Sequence, residues 1–143
     1  MKPVEYIVFP EVSPIVFRHL QAAEGYLDLE LATQAEGELS AVTDAGSMEG
    51  IRLMLWGRAH KSQDHMDEAI NFLTNALTHH PFQLCADLWR TLGDCYASVG
   101  QTEAAENAKH QAEAVANEKS IVAIFTCSNS RGANKTEDRM RRS

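Results

Sequence analysis

Between residues 15 and 118 the apolar positions recur three or four residues apart, with polar residues filling the opposite side, which is the spacing of amphipathic helices. Val16, Leu20, Ala23 and Leu27 predict a first helix over 15–29, and after a break at Glu30 a second is predicted over 32–43. The loop composition of Thr43-Asp44-Ala45-Gly46-Ser47 separates this pair from the next. Ser47 is placed to cap a helix over 48–62, with Gly50 in its first turn. A turn at Asp64 leads to a helix over 66–79, whose first turn holds Asp67 and whose end holds His79 and His80, each suited to the helix dipole; Pro81 stops it. The last pair is predicted over 84–98 and 102–118, with a turn at Gly100 between them and Thr102 capping the second helix. Glu103, Glu106, Lys109 and Glu113 mark its solvated face.

The two ends of the chain have a different character. Pro3, Pro10 and Pro14 exclude a long helix at the start. Residues 1–14 are therefore expected to form an extended arm, ending with Ser13 as N-cap and Pro14 at the first helical position. Its Tyr6-Ile7-Val8-Phe9 run either covers the first helix pair or is offered to a partner as a strand. At the other end, Ser120 to Cys127 is apolar without helical periodicity, and residues 128–143 are polar and expected to be disordered.

A longer period runs through the helical part. Trp89-x2-Leu92-Gly93-x2-Tyr96 is followed by Gly100 and then Ala104, Ala105, Ala108 and Ala112; Leu53-x2-Trp56-Gly57-x2-His60, with Ala69, Leu73, Ala76 and Pro81, forms an earlier copy, and Gly57 and Gly93 stand 36 residues apart. Ala22, Ala23 and Tyr26, followed by Ala35, Leu39 and Val42, form a third copy, with Tyr26 and His60 34 residues apart. Trp89, Leu92 and Tyr96 share one helical face, while Gly93 admits a partner helix at close range, at about 1 kcal/mol of lost helix propensity. This series resembles the tetratricopeptide (TPR) repeat family. The resemblance implies an all-α fold, a helix-turn-helix array or α-solenoid of three helix pairs over 15–119, with repeats at 16–49, 50–85 and 86–119. The chain departs from the family pattern at His19, Glu30, His60, Lys109 and Asn117.

Composition fits a single small domain: 143 residues with 44% hydrophobic positions suffice for one packed core. Three cysteines, Cys85, Cys95 and Cys127, show no C-x-x-C spacing and are expected to be free thiols. No apolar stretch reaches 18 residues, and Met1 to Leu20 lacks the layout of a secretory leader, so a cytoplasmic location without a membrane span is expected. Residues 1–118 carry seven Lys/Arg against eighteen Asp/Glu, whereas 119–143 carry six against two. An acidic body argues against nucleic acid as the main ligand, because phosphate contacts supply most of that affinity. The basic tail has no interleaved aromatic residue on which a base would stack.

In TPR arrays the first helix of each pair lines a concave groove, so the resemblance implies a groove containing Leu20, Glu24 and Leu27 from the first repeat. The second repeat contributes Met54, Leu55, Arg58 and Lys61, and the third Arg90, Thr91 and Asp94. Such a surface suits a peptide or protein segment anchored by an apolar side chain, its carboxylates meeting Arg58, Lys61 and Arg90. The carboxylate-clamp positions of the chaperone-binding subclass hold Leu20, Glu24, Leu55, Asp87 and Thr91 here, none of them matching. The function expected is a non-catalytic adaptor that needs no cofactor. A small chaperone of secretion or assembly type is the alternative, and self-association through exposed repeat ends is a further possibility. A metal-dependent hydrolase has little support: six histidines are present, and His60 and Asp64 stand at i, i+4, but no H-E-x-x-H, Cys/His set or phosphate-binding glycine loop occurs. His60, in a slot filled elsewhere by tyrosine, is expected to be a buried, hydrogen-bonded imidazole.

Overall fold

A serine followed by proline starts the first helix as the sequence requires. The Ser13 hydroxyl accepts from the Ile15 N–H at 3.2 Å and the Val16 N–H at 3.5 Å, while Pro14 occupies a position whose missing N–H costs nothing. In a computed structural model that describes residues 13–79, 82 and 85–117, this helix, α1 (Pro14–Asp28), is followed by α2 (Ala32–Ser40), a 3-10 turn at Gly46–Met48, α3 (Glu49–Ser62), α4 (Met66–Ala76), α5 (Ala86–Ser98) and α6 (Thr102–Asn117). The regular structure of the described residues is all helical, with no strand among them. The arm before residue 13, the segment after residue 117, and His80 and Pro81 lie outside the described residues.

The helices pack in chain order. α1 lies on α2, α3 on α4 and α5 on α6; α2 then meets α3, α4 meets α5, and the first helices of successive hairpins touch, α1 with α3 and α3 with α5. Leu20, Ala23, Ala35, Leu39, Ile51, Leu55, Ala59, Leu73, Leu88 and Leu92 form the buried core. Trp56, Trp89 and Tyr96 are half-buried and lean on it from the side. Two glycines set how closely a hairpin closes. A Cβ at Gly57 would stand 2.6 Å from Leu73 Cγ and Cδ2, and one at Gly93 would stand 3.4 Å from Ala105 O and Ala108 Cβ.

The three hairpin turns share one backbone geometry. The N–H groups of Leu31, His65 and Gln101 donate to the carbonyls of Tyr26, His60 and Tyr96 at 2.8, 2.9 and 2.9 Å. The residue before each of them is left-handed, with φ of 60° at Glu30, 65° at Asp64 and 83° at Gly100. This six-to-one bond over a left-handed residue satisfies helix carbonyls that would otherwise lack a partner. Only the last turn uses glycine, the residue that adopts this conformation without strain.

Several helix boundaries differ from those expected. α2 ends at Ser40 rather than 43 and α4 at Ala76 rather than 79, because short i−3 bonds such as Val42 to Leu39 and His79 to Ala76 take over from the α-helical pattern. α5 starts at Ala86, not 84. Ser47 does not cap α3: it lies inside the 3-10 turn, Met48 holds the cap position without a side-chain bond, and Asp44 Oδ1 accepts from the Gly46 N–H at 3.0 Å. Gly50 has a role the sequence did not reveal, since a Cβ there would lie 2.6 Å from the ring of the buried Phe82. The expectation of free thiols fails at Cys85, which is disulfide-bonded; Cys95 is free and fully buried. An odd count conceals one bonded sulfur beside a free one as easily as three thiols.

Candidate functional site

The residues projected onto the groove separate by depth. Leu20 and Leu55 are 0% exposed and Met54 3%, so they hold the helices together and present nothing to a partner. The reason is packing: α3 lies against α4, α1 and α5 together, which leaves less of its surface open than a single-helix register implies. Glu24 is buried as well. Arg58, Lys61 and Thr91 are half-buried, and Arg90 and Asp94 are exposed.

The structure brings four of these residues into one hollow of about 180 Å³, lined by Leu27, Arg58, Lys61, Ser62 and Thr91. Leu27 comes from α1, Thr91 from α5 and the rest from the last turns of α3, so the first helices of all three hairpins contribute. The polar groups here are partly committed. Arg58 Nη2 donates to Asp28 Oδ1 at 3.2 Å, linking α3 to α1. The Ser62 hydroxyl donates to the Ala59 carbonyl at 2.9 Å and the Thr91 hydroxyl to the Asp87 carbonyl at 2.8 Å, so each keeps lone pairs with which to accept. Lys61 forms no ion pair among the described residues. Its charge is felt by the Cys95 thiol, which burial pushes above its usual value, with Lys61 opposing the rise and Asp94 adding to it. A small space thus combines a cation, a second cation held in place by Asp28, two hydroxyl acceptors and an apolar wall. That set matches a carboxylate or carbonyl oxygen next to an N–H, the polar pattern of a peptide.

A second hollow of about 270 Å³ lies between α5 and α6, lined by Arg90, Asp94, Lys109, Ala112 and Glu113. Arg90 Nη1 also donates to Asp87 Oδ1 at 2.9 Å, in an exposed pair. Arg90 and Asp94 were among the expected groove residues, whereas Lys109, Ala112 and Glu113 were not. They sit on the second helix of the last hairpin, which no further hairpin covers among the described residues.

Two of the described histidines are engaged with neighbouring side chains. His60 is stacked among rings, with centroids 5.2 Å from Phe72, 5.7 Å from His65 and 5.8 Å from Trp56. It is half-buried, and its Nδ1 is buried without a hydrogen-bond partner, unlike the bonded imidazole expected. His19, in a slot that is usually apolar, meets Glu38 Oε1 at 2.7 Å and thereby ties α1 to α2. No three His, Cys, Asp or Glu side chains gather as a metal site among the described residues. No described helix is long and apolar enough to cross a membrane. No protein-family model matches the chain, and no curated protein matches it.

Proposed function

We propose that this protein is a non-catalytic adaptor of TPR type that holds a peptide or protein segment against α1, α3 and α5. The observation that carries the proposal is the hollow at Leu27, Arg58, Lys61, Ser62 and Thr91, to which the first helix of every hairpin contributes. Support for the repeat reading comes from the three alike turns, whose left-handed residues stand 34 and 36 positions apart, and from the close helix approach at Gly57 and Gly93. In this reading Lys61 takes a carboxylate or carbonyl of the partner, Ser62 and Thr91 accept its N–H groups, and Leu27 supplies apolar contact.

The test is purification of the native protein with its partner, followed by binding measurements on variants of the hollow. Lys61→Glu reverses a charge at the site, and Thr91→Arg fills it; both are expected to weaken the identified partner at least about tenfold, the cost of one lost charge-assisted bond. Glu103→Lys, on the exposed side of α6, is expected to leave binding within about twofold, because exposed charges contribute little. Equal binding by all four proteins would overturn the proposal. Leu55 is unsuitable as a control, since a charge at a fully buried position unfolds the array.

A further inference from the structure

Resting on the adaptor role proposed for the hollow at Leu27, Arg58, Lys61, Ser62 and Thr91, we infer what occupies it: the side-chain carboxylate of an aspartate or glutamate within the partner segment. A phosphorylated serine in that place is turned away. Phosphorylation of the partner there releases it rather than securing it.

Size restricts the occupant first. Sites for cofactors and other small molecules run to about 300–1,000 Å³, whereas this hollow holds about 180 Å³. It suits one side chain reaching in from a segment that lies across α1, α3 and α5, with Leu27 against its methylene groups.

Charge restricts it next, because the two cations do not count alike. Arg58 Nη2 stands 3.2 Å from Asp28 Oδ1, so an anion placed on its guanidinium shares it with a carboxylate already there. Lys61, without an ion pair among the described residues, supplies the one uncompensated charge. An aspartate or glutamate side chain carries a single negative charge at neutral pH and matches it. A phosphoserine carries about −1.5 to −2, and its second charge has only the shared Arg58 to turn to.

Hydrogen-bond valence points the same way. The Ser62 hydroxyl spends its proton on the Ala59 carbonyl at 2.9 Å and the Thr91 hydroxyl on the Asp87 carbonyl at 2.8 Å. Toward the hollow both offer lone pairs alone, which accept the N–H groups of the segment's main chain. A carboxylate has two oxygens, and the N–H groups of Lys61 and Arg58 serve them. A phosphate brings three acceptor oxygens. The third faces a spent hydroxyl and gains no bond unless a helix bond is broken.

The test is selection of random unmodified peptides by display against the full-length protein and against Lys61→Gln. Synthetic copies of an enriched peptide then carry the acid, its amide or phosphoserine at one position, and their affinities are read by fluorescence polarisation. Enriched peptides are expected to place Asp or Glu beside an apolar residue. Lys61→Gln, and exchange of the acid for its amide, should each weaken binding about tenfold, as loss of a charge-assisted bond does. Phosphoserine should bind at least about fivefold more weakly than the acid, the worth of one ordinary hydrogen bond. Asp28→Asn, which frees Arg58, should narrow that gap to within about twofold. Peptides enriched equally by the parent and Lys61→Gln, or none enriched, would remove the adaptor role of the hollow and this inference with it. Lys61-dependent peptides that lack an acid, or that bind as tightly with phosphoserine, would leave the adaptor role standing and overturn the inference alone. A gap unchanged in Asp28→Asn would overturn it too, since the charge balance would not be its cause.

Discussion

Glu30 holds a backbone conformation that its side chain opposes, and this allows a sharp test of the shared turn geometry. Its φ is 60°, as is normal for the glycine that occupies the same place at Gly100, where φ is 83°. A left-handed residue with a Cβ is strained by about 1–2 kcal/mol. Glycine removes that strain but raises the entropy of the unfolded chain, which returns about 0.5–1 kcal/mol. Glu30 is exposed, and its side chain makes no hydrogen bond or ion pair among the described residues, so no contact is lost. The net expectation for Glu30→Gly is a gain of about 0.5–1 kcal/mol, or a melting midpoint about 2–6 °C higher for a domain of this size. Removing a carboxylate from an acidic protein also lowers self-repulsion, so the control is Glu30→Ala, which deletes the charge and keeps the strain. Urea unfolding followed by circular dichroism measures both. A gain in Glu30→Ala as large as in Glu30→Gly would assign the effect to charge, and no gain in Glu30→Gly would refute the strain altogether. At Asp64 the same change should gain less, because Asp tolerates the left-handed region better than Glu, and Gly100→Ala should lose about 1 kcal/mol.

Other substitutions probe the packing and the buried thiol. Gly57→Ala should destabilise by about 1–3 kcal/mol, because the new methyl lies inside the radius of a fully buried Leu73. Gly93→Ala, whose methyl meets neighbours at 3.4 Å, should stay within about 1 kcal/mol of the parent, as the gain in helix propensity offsets tight contact; equal melting curves for the two variants would contradict this contrast. The Cys95 thiol, raised above 9.0 by burial, favours its neutral form in the folded state. Its contribution to stability is therefore full below about pH 9 and lost as pH rises through the folded value. Alkylation at pH 8 should modify Cys95 only on unfolding, and rapid labelling of the native protein would show that the thiol is accessible.

How much of this was legible in the sequence depended on the kind of interaction. The six helices were readable because Leu20, Ala23, Leu27 and their counterparts repeat at a spacing that only a helix buries on one side. Ser13 and Pro14 were readable because capping is local chemistry. The ends of α2 and α4 were not, since the switch to i−3 bonding at Leu39–Val42 and Ala76–His79 has no residue signature. Nor was the purpose of Gly50, which depends on Phe82 more than thirty positions away. The same limit divided the residues expected to line a groove. Register placed Leu20, Leu55, Arg58 and Lys61 on one side, but their depth is set by how many helices meet there, and only the arrangement of α1, α3 and α5 separates the buried leucines from the accessible cations.

That separation bears on the proposed partner through the distribution of charge. Residues 1–118 carry only seven Lys/Arg against eighteen acids, yet Arg58, Lys61, Arg90 and Lys109 line the two hollows that α5 shares. At physiological ionic strength a charge is screened beyond about 8 Å, so an acidic segment is repelled by the body only weakly at long range and meets cations once seated. Affinity for such a segment should then rest on short contacts, and salt should act on it in two opposing directions, weakening the seated pairs while screening the surrounding acids. Raising salt from about 0.05 to 0.5 M is accordingly expected to shift the dissociation constant by less than Lys61→Glu does. A loss of about a hundredfold or more over that range, with Lys61→Glu nearly silent, would mean that the partner is held by diffuse charge rather than by the hollow.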